Sequence, residues 1–357
     1  MGIKIILLII FFAVMAAVGI YSRRHVTSVD GFVLGGRSVG PWLTAFAYGT
    51  SYFSAVVFVG YAGQFGWKYG IASTWIGIGN ALIGSLLAWV VLGRRTKVMT
   101  QHLGSRTMPD FFGERYKSKS LKITASVIVF VFLIPYTASV YNGLSRLFAM
   151  AFNIPYTWCV VTMAAFTALY VILGGYMATA INDFIQGIIM LIGIVAVIAA
   201  VLNGQGGFMN AIAEMAKIPS DVPLTQGQPG AFTSFFGPDP VNLLGVVLLT
   251  SLGTWGLPQM IGKFYAIKDE KSISTGTIIS TIFAIIISGG CYFLGGFGRL
   301  FDSPEIYDKA GGAVVYDSII PHMLSMLPDL LIGVVVVLVL SASMSTLSSL
   351  VLTSSST

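Results

Sequence analysis

The chain has 357 residues, of which 55% are hydrophobic and only 10% charged, with a mean hydropathy of +0.85 and a net charge of +6. A soluble domain usually carries about 25% charged residues, so this composition excludes a soluble globular protein and points to an integral membrane protein in the lipid bilayer. The basic residues sit in short connectors with no interleaved aromatic stacking positions, so no nucleic-acid partner is expected.

Windows of about 20 apolar residues predict nine spans, all too long for barrel strands and therefore helical. The first runs over 5–21. Its apolar core is long for a secretory leader, no small-residue cleavage site follows, and "YSRRH" lies at its far end, so it reads as a retained helix. The next spans are 42–65, 71–92, 123–151, 155–173 and 184–202. The last three are 243–266, 278–297 and 327–357.

The connector 93–122 holds Arg94, Arg95, Lys97, Arg106, Arg115, Lys117, Lys119 and Lys122. By the positive-inside rule it is cytoplasmic, and the connector 264–275, with Lys268 and Lys271, falls on the same side. The loops 203–240 and 299–326 then face outward, and Arg23 and Arg24 after the first span favour an amino terminus outside the cell membrane.

No Walker loop, H-E-x-x-H or paired cysteines at metal spacing occur, so no enzyme is expected; Cys159 and Cys291 lie inside apolar spans as small buried hydrophobes. What the sequence offers instead is two interrupted helices. In the second span, "AYGTSYFSAVVFVGYAGQFG" sets Gly49, Thr50, Ser51 and Ser54 near mid-membrane. In the seventh, "LLTSLGTWGLPQM" does so with Gly253, Gly256 and Pro258. Proline removes a backbone donor and glycine lowers the cost of unwinding. Carbonyls freed at mid-membrane persist only where they line a cavity or coordinate something. A packing kink would explain either break alone; five spans between their starts is the spacing of a five-plus-five inverted repeat.

The last span ends in "SASMSTLSSLVLTSSST". On a helix Ala342, Ser345, Thr346 and Ser349 share a face, with Ser348 on its flank. Hydroxyl oxygens are hard, neutral ligands that suit an alkali cation which must be released in every cycle. The competing reading is hydrogen bonding between helices or back to the i−4 carbonyl.

The stretches "DGFVLGGRSVGPWLTAFAYGTSYFSA", "GGYMATAINDFIQGIIM", "GLPQMIGKFYAIKDEKS" and "SASMSTLSSLVLTSSST" together resemble the sodium:solute symporter family, in order and over nearly the whole chain. The resemblance implies an all-α LeuT-type inverted-repeat core preceded by one extra helix. Residues 42–202 would form the first five-helix repeat and 243–357 the first three helices of the second, within a single transporter domain over 1–357. Family members continue past this helix, so the chain reads as part of a longer protein. The implied cofactor is a sodium ion, held by the carbonyls of Thr50, Phe53 and Ala342 and the hydroxyls of Ser345 and Thr346. Some members bind a second sodium, which here would use Asp183, Ser345, Ser348 and Ser349; Asp183 also reads as the start of the sixth span, where Asp is a favoured cap.

The resemblance assigns solute contacts to Ser54, Tyr136, Thr254 and Trp255. Each of these could equally be packing, and Arg146 reads as an interfacial side chain. Tyr52 stands where the family often carries Asp or Asn, which weakens any transfer of proline or sugar specificity. The expectation is a sodium-coupled symporter for a small polar organic solute. The alternative is a solute-sensing input domain built on the same fold, and a passive channel ranks third because polarity is concentrated at two breaks and one ladder.

Overall fold

The computed structural model describes residues 2–23, 28–152, 155–308 and 312–357; Arg24 and His25, and the side chains of Arg146 and Cys159, lie outside the described residues. Among the described residues every regular element is helical. Six helices among the described residues are long and apolar enough to cross a membrane, or seven if the bent pair at Pro240–Gly256 and Pro258–Ala266 counts as one span. The nine spans expected from hydropathy differ from this count for a local reason. The second merges with the third in Val56–Leu103, and the fifth leaves the shorter apolar helix Val160–Leu169.

Helix α1 covers Gly2–Ser22. Helix α2, Pro41–Tyr52, starts with proline in its first turn, where the missing N–H has no partner to lose. It stops because Phe53 is extended, with φ −87° and ψ 108°. A π-wound turn over Val56–Tyr61 then leads into α3, Ala62–Tyr69. Gly70, at φ 60° and ψ −142°, folds the chain back. Without that turn the 48 residues of Val56–Leu103 would make a helix about 72 Å long, more than twice the hydrocarbon thickness.

Helix α4 spans Lys119–Phe152, and α5, Tyr156–Gly204, is two helices joined at Gly175, which adopts φ 52° and ψ −144°. Helix α6, Pro240–Gly253, gives way to a tight turn over Thr254–Gly256 and an extended Leu257, after which Pro258 opens α7, Pro258–Ala266, at an angle of 51°. Helices α8, Lys271–Ala284, and α9, Asp329–Ser356, complete the set. Both broken helices thus carry one extended residue between two helical halves, Phe53 in the first and Leu257 in the second.

Helix α9 packs against α1, α2, α4 and α5. Its Val335, Val336, Val339 and Leu340 are buried, as are Ser341, Ser343, Ser345, Thr346, Ser348 and Ser349. Small side chains let backbones approach closely, which is how helices associate in lipid, where apolar burial adds little.

The connectors gather at the two ends of this bundle. At one end the Val39 N–H donates to the Ala266 carbonyl at 3.3 Å and the Lys268 N–H to the Val39 carbonyl at 3.0 Å, tying the start of α2 to the end of α7. Arg94 meets Glu270 at 2.5 Å and Arg106 meets Asp30 at 2.5 Å, so the basic connectors 93–122 and 264–275 share that end. At the other, Arg299 donates to the Trp67 carbonyl at 2.7 Å and to Asp221 at 2.7 Å.

Candidate functional site

The break after α2 exposes carbonyls that have lost their helical donors, and α9 meets them with hydroxyls. The Ser345 hydroxyl lies 3.0 Å from the Thr50 carbonyl and 3.0 Å from that of Ala342. The Thr346 hydroxyl lies 3.3 and 3.1 Å from the same two carbonyls. Four oxygens from chain positions almost 300 residues apart therefore face one point, and all four residues are buried. A hydroxyl that only back-bonds within its own helix needs the Ala342 carbonyl alone; here both reach across to α2 as well.

Phe53 and Ser54 follow directly. They line, with Ala342, Met190 and Cys291, a cavity of about 10 Å³. The Ser54 hydroxyl accepts the Val56 N–H at 3.2 Å, capping the second half of the first broken helix. Ser343, which the face pattern did not single out, accepts the Ala55 N–H at 3.2 Å and fastens α9 to the far side of the break.

About one turn along α9 a second polar group gathers. The Ser348 hydroxyl donates to the Ser345 carbonyl at 2.9 Å. Ser349 Oγ is 2.8 Å from Ser51 Oγ, and Ser51 donates to the Ala47 carbonyl at 2.5 Å. Lys263, on α7, donates to Ser349 Oγ at 3.1 Å and stands 3.6 Å from Asp183 Oδ2 and 5.2 Å over the Tyr176 ring. Both charged side chains are almost completely buried. Sequence reading missed Lys263, although a lysine inside an apolar span is a functional signal by default.

Asp183 departs from one expectation. The helix that carries it begins after Gly175, so the residue lies about two turns inside rather than at a start. It cannot cap that helix, and its carboxylate faces Lys263 instead.

The solute candidates occupy three places. Ser54 belongs to the first break. Tyr136 packs beside Leu133 and Val140 of α4 and Leu347 and Leu350 of α9. Thr254 and Trp255 turn their donors onto a neighbouring π-wound segment, Asn80–Leu87: the Thr254 hydroxyl reaches the Gly84 carbonyl at 3.0 Å and the Trp255 indole N–H the Ile83 carbonyl at 2.9 Å. Cys291 is buried as expected.

The sodium:solute symporter family profile matches residues 32–357. Sodium/proline symporter 2 of Staphylococcus saprophyticus is 32% identical over 363 residues, covering 98% of this chain and 66% of that protein. The sodium/proline symporter of Staphylococcus aureus is 30% identical over 362 residues, with the same coverage. The chain therefore spans just under two thirds of the length of these relatives. A sodium-coupled sialic acid symporter, solved in a substrate-bound outward-open state, superposes with a TM-score of 0.80 at 16% identity, over 99% of this chain and 72% of that one. That likeness is one of fold.

Proposed function

Because the chain belongs to the sodium:solute symporter family, whose members are membrane carriers and not enzymes, we propose that it is the ion-binding part of a symporter that moves a small polar organic solute with sodium by alternating access. The observation that carries this reading is the convergence of the Thr50 and Ala342 carbonyls with the Ser345 and Thr346 hydroxyls. They make a neutral, all-oxygen donor set, the chemistry that hard cations prefer, and the family resemblance adds the Phe53 carbonyl to it. Such a set releases its ion more readily than a carboxylate cage.

Sodium is a transported species here, and its binding does mechanical work on the helices. A cation shared by α2 and α9 draws the two halves of the break against α9 and fixes Ser54, next to the ion, for solute contact. Tyr136 and the faces of Thr254 and Trp255 are the further solute contacts in this reading. The cavity at the break is about 10 Å³, at the lower limit for a single water. A solute therefore enters only when the helices move apart, as a carrier requires and an open channel does not. One uncompensated charge gains about 2.3 kcal/mol per 100 mV, which corresponds to roughly 50-fold accumulation.

The relatives' substrate makes proline the first solute to try, with other small amino acids and sugars beside it. The test is a sodium titration of the full-length protein followed by tryptophan fluorescence, with potassium and choline as controls. A saturable response to sodium alone, lost in Ser345→Ala/Thr346→Ala, supports the reading. Equal responses to all three cations would return the hydroxyl ladder to helix packing.

A further inference from the structure

Asp183 is fully buried, and neither of its carboxylate oxygens has a hydrogen-bond partner among the described residues. An isolated carboxylate in this setting is strongly unfavourable and calls for a cation. The resemblance to the family would put a sodium there. This chain puts the Lys263 ammonium there, 3.6 Å from Asp183 Oδ2 and 3.1 Å from Ser349 Oγ, with the Tyr176 ring face on its flank. Three of the groups that would surround a second sodium, or stand beside it, are thus already engaged: Asp183 by charge, Ser349 by a hydrogen bond, and Ser348 by its bond to the Ser345 carbonyl.

We propose that Lys263 is a tethered cation that takes the place of a second sodium, so that the carrier couples to one sodium, held at Thr50, Ser345 and Thr346. This rests on the sodium-symport reading above. Two arguments carry it. The first is charge: Asp183 and Lys263 sum to zero, and a sodium added between them would leave a net positive charge with no second carboxylate to offset it among the described residues. The second is donor direction. Because Ser51 gives its proton to Ala47, Ser51 accepts from Ser349, and Ser349 accepts from Lys263. The chain of donors runs from Lys263 to α9 to α2, so the ammonium ties α7 to both walls of the main ion site. The second broken helix thereby gains a fixed link to the first, where a mobile ion would make that link depend on sodium concentration.

The experiment is equilibrium binding of radioactive sodium to the full-length protein in lipid nanodiscs, counted per protein. The expected counts are one for the wild type, two for Lys263→Gln, whose Asp183 is left without a cation, and one again for Lys263→Gln/Asp183→Asn. Two sodium ions in the wild type, or a single one in a Lys263→Gln protein that retains wild-type affinity, would overturn the inference and leave the symport reading standing. If Lys263→Gln does not fold, Asp183→Asn decides: one sodium as in the wild type supports the tethered cation, and none overturns it by moving the bound ion to Asp183. A wild type that binds no sodium would sink the symport reading itself.

Discussion

The Ser345 hydroxyl of α9 touches the Thr50 carbonyl of α2 at 3.0 Å across 295 positions of sequence. That contact joins the last turn of a helix that breaks at Phe53 to an unbroken one, which is the arrangement the proposed releasable ion site needs: oxygens on α9 stay put while those beside the break can move. Hydrogen bonds to charged groups contribute about 1.5–3 kcal/mol, and a lost cation–oxygen contact of similar size weakens sodium binding roughly 10- to 150-fold. Ser345→Ala should therefore shift half-saturating sodium upward by that order in uptake assays on the full-length protein, with the maximal rate at saturating sodium less affected. Thr346→Ser should keep near-wild-type affinity and Thr346→Ala should lose it. Equal affinities for the two Thr346 variants would remove the hydroxyl from the site.

Thr254 and Trp255 hold the second break against its neighbour. Their donors end on the Gly84 and Ile83 carbonyls, which the π-wound segment Asn80–Leu87 leaves available. Buried carbonyls deprived of a donor cost about 1–3 kcal/mol. Trp255→Phe should lower thermal stability by an amount of this order, and Thr254→Val by less, because the Gly84 carbonyl keeps the Tyr48 hydroxyl as a donor at 3.0 Å. As proposed solute contacts both should raise the KM for the transported solute, Trp255→Phe more than Thr254→Val, which keeps the side-chain volume and loses only the hydroxyl. A KM shift in Thr254→Val larger than in Trp255→Phe would reverse the two roles.

Legibility in the sequence followed the range of the interactions. The ladder on α9 was readable because side-chain spacing on a helix is a local property, and Ser345 and Thr346 do land where that spacing put them. The breaks were readable because glycine and proline act on their own backbone. Lys263 was not, because its meaning depends on Asp183 and Ser349, 80 and 86 positions away, and it stands immediately before the basic connector 264–275. The sixth span was begun too late because hydropathy alone places its edge at the first charge, whereas its backbone starts at Gly175 and carries Asp183 into the interior. Donor directions at Thr254 and Trp255 depended on a π-wound partner that no residue type announces.

Arg299 closes the end of the bundle opposite the basic connectors. Its guanidinium lies 4.7 Å from the Trp67 ring centre and 3.9 Å from that of Phe232, and it donates to the Trp67 carbonyl and to Asp221. Burial pulls its pKa below the usual guanidinium value, and the Asp221 carboxylate opposes that shift. The planar fork is what permits stacking and two directed bonds at once, and lysine cannot reproduce it. Arg299→Lys should cost roughly 1–2 kcal/mol, the scale of a partly desolvated cation–π contact, and should show as a lower thermal midpoint. It should also raise the reactivity of a cysteine placed at Ser73, a buried position next to this end, toward an impermeant thiol reagent. An unchanged midpoint and unchanged labelling would mean the cap does not restrain α3.

Gly175 sets the direction of the helix that brings Asp183 to Lys263. Its φ of 52° with ψ of −144° is a conformation that residues with a side chain rarely adopt, and a Cβ there would approach the Phe32 carbonyl oxygen to 2.8 Å. Backbone strain of this kind costs about 1–3 kcal/mol. Gly175→Ala should destabilise the fold by at least that amount or force the two halves of α5 toward a single straight helix. Straightening would carry Asp183 away from Lys263 and Ser349, so the stability loss should come with a change in sodium affinity. In Gly174→Ala, one position earlier, the backbone stays helical and the new methyl instead presses on Ala178 and Ser22. That variant should cost stability through packing alone and leave sodium affinity near wild type. If both variants destabilise alike and neither moves sodium binding, the turn at Gly175 serves packing and has no part in placing the Asp183–Lys263 pair.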